Sequence, residues 1–159
     1  MTVKHPTLAQ RLGAVAIAAN LPAAPVQADS HFALFKPEDP QTIALGGTIY
    51  AEQCAACHGA NLKGEDNWQQ PKTDGRMPAP PHDETGHTWH HPDQQLFDIT
   101  KYGIARLMGL KDYQTDMPVY QEILTDEEII AVLSYIKAQW PPEIRKQHDE
   151  MNRRTAIEN

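Results

Sequence analysis

Between residues 40 and 140 the apolar positions recur at helical spacing, and no stretch of useful length alternates with the two-residue period of a strand. Ile43, Gly46 or Gly47, Tyr50 and Cys54 fall at i, i+3/4, i+7 and i+11, on one face of a first helix. Asp39 is placed to cap it and Pro40 to open it. A glycine pair inside a helix costs stability, and close approach by a second helix is a physical reason for tolerating it. A second helix is predicted over Asp93–Tyr102, after Pro92 and before Gly103, with Leu96, Ile99 and Phe97 facing inward. The last clear helix runs from Asp126 to Gln139. Thr125 and Glu128 form its capping box, and Ile129, Val132 or Leu133, Ile136 and Trp140 make its apolar stripe. Pro141-Pro142 ends it. Residues 141–159 are polar, with Glu150 and Arg154 at i, i+4, and read as a solvated helical tail. The pattern is that of an all-α domain over residues 40–140, with 29–39 as a linker carrying Phe32 and Phe35 that either packs on the domain or stays loose.

The first helix closes on Cys54-Ala55-Ala56-Cys57-His58, a C-x-x-C-H sequence that holds the only two cysteines of the chain. This is the attachment spacing of a c-type haem. Two thiols three positions apart reach the two vinyl groups on one porphyrin edge, and the adjacent imidazole turns under the ring to offer a nitrogen to iron. Two other readings compete. A thiol redox pair calls for a C-x-x-C that opens a helix after a strand, whereas here the motif ends a helix. A zinc site needs four ligands. His87 and His91 have ligand spacing, but 29 residues intervene between Cys57 and His87, and no second C-x-x-C exists. A haem also accounts for residues 59–91, rich in Gly, Pro, Asp, Asn and His. So long an irregular segment counts against a compact domain unless an apolar body such as the macrocycle gives the loops something to wrap.

Residues 1–28 have the form of a secretory signal: Lys4 and Arg11, a short Ala-rich apolar run from Leu12 to Leu21, and Val26-Gln27-Ala28 as a cleavage site. The run is short for a membrane span, which takes about 20 apolar residues; an uncleaved anchor is the alternative. Export suits covalent haem attachment, which in bacteria takes place outside the cytoplasm. Removal of the segment takes away two bases and no acid, leaving 12 basic against 21 acidic residues, a formal charge of −9. Such a surface argues against nucleic acid and anionic membranes and favours a partner with a basic docking patch; solubility alone explains it equally.

Taken together, the haem motif at the end of a first helix, Met117-Pro118 further on and a final amphipathic helix resemble the class I c-type cytochromes over roughly residues 40–140. The resemblance implies an all-α fold with one covalent haem c in a cleft. It implies that the first and last helices cross closely, with Gly46 or Gly47 meeting Tyr135. It implies axial iron ligation by His58 and by Met117, which lies 59 residues beyond it. It also implies a proline-flanked carbonyl hydrogen-bonded to His58, with Pro80 first in line and Pro78 next. Met77 precedes a proline but comes only 19 residues after His58, and Met108 has no following proline. His82, His87, His90 and His91 compete with Met117; a bis-histidine haem would have the lower potential. Those histidines are also candidates for a surface Cu²⁺ or Zn²⁺ site. Arg76 and Trp89 are candidates for the haem propionates, with core packing the other account of Trp89.

The function implied is a periplasmic one-electron carrier that is not itself an enzyme. Its partners would be redox proteins, with no small-molecule substrate; no nucleophile–base constellation or phosphate-cradling loop is present in the sequence. Two alternatives remain at this stage. One is a haem subunit of a dehydrogenase or oxidase, held there by residues 29–39 or 143–159. The other is an open-site haem enzyme or sensor in which Met117 does not bind.

Overall fold

The computed structural model describes residues 33–158, together with Met1 and Thr2. Phe32 and all but the first two residues of the signal-like segment lie outside the described residues. The elements are helical, and there is no strand among the described residues. Helix α1 (Pro40–Ile49) continues through a π-helical turn (Tyr50–Cys54) into α2 (Ala55–His58). After a long loop and a 3₁₀ turn (Thr88–His90) come α3 (Asp93–Tyr102), α4 (Ile104–Leu107), α5 (Asp126–Ala138) and α6 (Pro142–Glu158). Local chemistry sets these boundaries. The Asp39 carboxylate accepts from the Thr42 N–H and hydroxyl. Thr125 and Glu128 close a reciprocal capping box, each side chain taking the other's backbone N–H at 3.2 and 2.8 Å.

Helices α1 and α5 form the central crossing. A Cβ placed on Gly46 would lie 2.0 Å from the Ala131 carbonyl oxygen and 2.8 Å from Tyr135 Cβ. One on Gly47 would meet only the Tyr135 ring edge, at 3.2 Å. Gly46 is therefore where the two backbones touch, and Gly47 is the floor beneath the Tyr135 ring. Ile49, Tyr50, Leu96, Phe97, Ile129, Val132, Ile136 and Trp140 fill the core around this contact.

The reading of residues 141–159 as a solvated tail is corrected. Helix α6 docks on the domain through polar side chains: His148 is 0% exposed and Asn152 is also buried. His148 Nε2–H donates to the His91 carbonyl (2.9 Å), and Asn152 exchanges two bonds with Asp93, one from its Nδ2 to Oδ1 and one to its Oδ1 from the Asp93 N–H, both 2.8 Å. The other Asp93 oxygen accepts from the N–H groups of Leu34 and Phe35 at 2.8 and 3.0 Å. The linker is thereby fastened to the N-terminus of α3, and Phe35 enters the core. Buried Lys137 of α5 pairs with Asp149 of α6 at 2.7 Å. Hydrophobic periodicity does not register such a helix, because its buried positions are polar and satisfied by hydrogen bonds rather than by apolar burial.

Two outcomes follow for stability. Gly46→Ala gains about 1 kcal/mol of helix propensity but drives a methyl group into a backbone carbonyl. Urea unfolding of the haem-loaded protein should show a net loss of about 2 kcal/mol, with Gly47→Ala within about 1 kcal/mol of the parent because a ring edge can yield. Burial, reinforced by Lys137, depresses the His148 pKa from its ordinary 6.5. Below that value the unfolded chain takes up a proton that the folded chain refuses, so this contribution to stability falls as pH drops from 6.5. His148→Gln should flatten that part of the stability–pH curve.

Candidate haem site

The site begins with the π turn. Tyr120 donates its hydroxyl to the Gln53 carbonyl at 2.8 Å, engaging a main-chain oxygen inside the widened turn. π turns of this kind mark functional positions in helices. Here it sets the phase of the last helical turn, leaving Cys54 half-buried, Cys57 exposed and His58 only 8% exposed. Tyr50 ties down the end of the rod, its hydroxyl donating to the Gly59 carbonyl at 2.8 Å.

Two loop strips then lie side by side beneath His58. Glu65 N–H donates to the Ala79 carbonyl (2.9 Å), and Ala79 N–H donates to the Glu65 carboxylate (2.6 Å). His82 N–H donates to the Leu62 carbonyl at 2.7 Å. The approach requires glycine at position 64, which has φ +66° and no room for a Cβ, 2.5 Å from the Ala79 oxygen. The Ala79 N–H and Lys72 hold the Glu65 carboxyl below its usual pKa. This pairing brings the Pro80 carbonyl to 2.8 Å from His58 Nδ1. A carbonyl only accepts, so Nδ1 carries the proton and Nε2 presents its lone pair. Burial lowers the His58 pKa, against the opposing pull of the Pro80 bond and Glu65, which favours the neutral, metal-ligating form.

Cys54, Cys57, His58 and Met117 all line one largely apolar cavity of about 610 Å³, within the roughly 300–1,000 Å³ typical of small-molecule sites. Burial, and then the neighbouring Cys57, pushes the free Cys54 thiol up to about 11. The donor set fits a haem c: two thiols at one end, a tautomerically fixed imidazole nitrogen, thioether sulfur, and apolar walls from Leu96, Ile99, Val132 and Ile136.

The structure distributes the remaining candidates. Of the three methionines lining the cavity, Met77 and Met108 are 38% and 58% exposed, whereas Met117 is half-buried and packed on the core. His82 lines the cavity and stacks on His58. His90 does not line the cavity and meets Trp89 edge to face. His87 and His91 do line it, His87 stacked on Trp68. Among the described residues no group of three or more His, Cys, Asp or Glu is arranged to hold a metal ion. Arg76 and Trp89, expected beside the propionates, do not line the cavity. Arg76 is drawn into an ion pair with Asp116 (2.7 Å), and Trp89 donates its indole N–H to the Glu84 carbonyl (3.3 Å). Trp68, Glu65 and Gln95, which sequence reasoning passed over, face the cavity instead. Gly64 is the one local signal that pointed to the strip carrying Glu65.

A helical domain whose single cavity-lining C-x-x-C-H pairs two thiols with a buried, Nδ1-protonated histidine defines a covalent haem protein. Residues 43–140 match the family model described as Cytochrome c. That is more than half of the chain, which belongs to the cytochrome c family and so carries haem c in a haem-based electron-transfer fold. Neither the search of curated proteins nor that of solved structures returned a match.

Replacing both Cys54 and Cys57 with Ser should abolish covalent attachment. Denaturing electrophoresis with haem staining should show a haem-bearing band for the parent and none for the double variant.

Proposed function

We propose that this protein is a single-haem, one-electron carrier working between redox proteins outside the bacterial cytoplasm, and that it is not itself an enzyme. The observation that carries the reading is the pairing of His58 and Met117 in one cavity, with Met117 the least exposed of the three methionines and held on the Met117-Pro118 loop just before α5. The Thr115 hydroxyl accepts the Met117 N–H at 3.1 Å and steadies that loop. When bound, the haem supplies reversible Fe(III)/Fe(II) exchange. The chain's own work is to attach it, present His58 Nε2, offer sulfur to the other axial position and exclude water with the α3 and α5 walls. Methionine ligation raises the potential relative to a second histidine.

The signal-like segment supports export, and no helix among the described residues is long and apolar enough to cross a membrane. The acidic net charge supports a basic docking partner. The segments suggested for attachment to a larger complex are engaged elsewhere: Leu34 and Phe35 bond Asp93, and α6 is fixed by His148 and Asn152. That favours a free carrier over a subunit.

Met117→Ala tests the reading. The ferric protein should lose the sulfur-to-iron charge-transfer band, its midpoint potential should fall, and the reduced form should gain CO binding that the parent lacks. An unchanged spectrum and potential would assign the second axial position to another side chain, with His87 and His91 next in line.

A further inference from the structure

We propose that His82 is a positioning residue that fixes the rotational setting of the His58 imidazole about the nitrogen it offers to the haem iron. The inference rests on His58 being the axial ligand. The two rings are stacked, with centroids 3.9 Å apart and planes 21° from parallel. The Pro80 bond restrains the His58 ring at one edge nitrogen and leaves its face unsupported. A flat group against the face supplies that support.

His82 is itself held at three polar atoms: its backbone N–H, its carbonyl and Nδ1. Its N–H donates to the Leu62 carbonyl at 2.7 Å, and its carbonyl accepts the Trp140 indole N–H at 2.7 Å. Its Nδ1 lies 2.8 Å from the Thr88 hydroxyl, which lies 3.3 Å from the Pro81 carbonyl. The Thr88 hydroxyl can both donate and accept, so it holds His82 Nδ1 in either tautomer of the ring. The Tyr50 ring closes one edge, 6.4 Å away and 69° inclined. Leu62, Thr88 and Trp140 belong to three separate stretches of chain, so His82 cannot shift without breaking contacts to several of them. An aliphatic residue could fill the same space, but it would offer neither a plane to stack nor a ring nitrogen for Thr88. Groups behind a metal ligand commonly set its orientation and tune the metal. The relative orientation of axial imidazole and porphyrin governs how the ligand orbital overlaps those of the iron, which magnetic spectra read directly.

The test uses the haem-loaded protein with His82→Phe, which keeps a flat ring, His82→Leu, which does not, and Thr88→Val, which keeps His82 but removes its hydroxyl partner. Low-temperature EPR g values and the order of the haem-methyl proton shifts are recorded in the ferric state, with the midpoint potential. His82→Phe, which keeps the plane but gives up the Thr88 bond, should displace these signals no further than Thr88→Val does. His82→Leu should shift the largest g value, reorder the methyl resonances and move the potential, and Thr88→Val should move the same signals less far in the same direction. A purely structural role would lower the unfolding midpoint and leave the magnetic pattern unchanged. Parent-like spectra in His82→Leu, or equal displacement in His82→Phe, would overturn the proposal. If His82→Leu does not accumulate with haem, parent-like spectra in Thr88→Val do so. A parent protein with no low-spin haem signal would overturn the electron-carrier reading as well, which separates the two failures.

Discussion

The hydrogen bond from His58 Nδ1 to the Pro80 carbonyl is the constraint around which the site is arranged. It decides which imidazole nitrogen is free, and so which way the ligand points. Yet proline residues 22 positions away in a loop have no intrinsic reason to be there. The carbonyl is delivered by the ladder between residues 62–65 and 79–83, and the ladder closes only because Gly64 lets two backbones meet. Gly86 makes a second such contact, where a Cβ would stand 2.1 Å from the Pro81 oxygen. The loops that look unstructured by composition are ordered by main-chain hydrogen bonds, which composition does not encode.

This explains what was legible in the sequence. Helices α1, α3 and α5 announce themselves through apolar period, and α1 and α5 also through the side-chain caps of Asp39 and Thr125. The motif Cys54–His58 is legible because its chemistry demands contiguous residues. Side chains that approach the cavity from residues 65–95 are not, since their placement depends on loop pairings with no periodic signal. Arg76 illustrates the difficulty. Its guanidinium suits a propionate on chemical grounds, but Asp116, forty positions later, offers a carboxylate and captures it at 2.7 Å. Trp89 likewise finds its partner five residues back, at the Glu84 carbonyl.

The polar C-terminal helix shows the same principle at larger scale. Burying Asp93, Lys137, His148 and Asn152 together is tolerable because Asp93, His148 and Asn152 are hydrogen-bonded and the Lys137 charge is met by the carboxylates of Asp149 and Asp93. The tautomer of His148 is fixed by this logic. Its Nε2–H goes to the His91 carbonyl, leaving Nδ1 to accept from Asn152 Nδ2 at 3.4 Å. Burial and Lys137 both favour that neutral form.

His91 also lines the cavity, so the network is not remote from the haem site. The carbonyl of a cavity-lining residue is gripped by α6, while the backbone of the linker is gripped by Asp93 at the start of α3. Trp140, between α5 and α6, extends the same grip to the carbonyl of His82, which stacks on His58. The extension beyond the residues matched to the family therefore lines none of the cavity and braces it from outside, through hydrogen bonds to His91 and Asp93. It supplies no ligand and little apolar surface. A carrier needs its axial geometry to be the same in both oxidation states, and a framework of directional, buried bonds resists displacement in a way that apolar contacts alone do not.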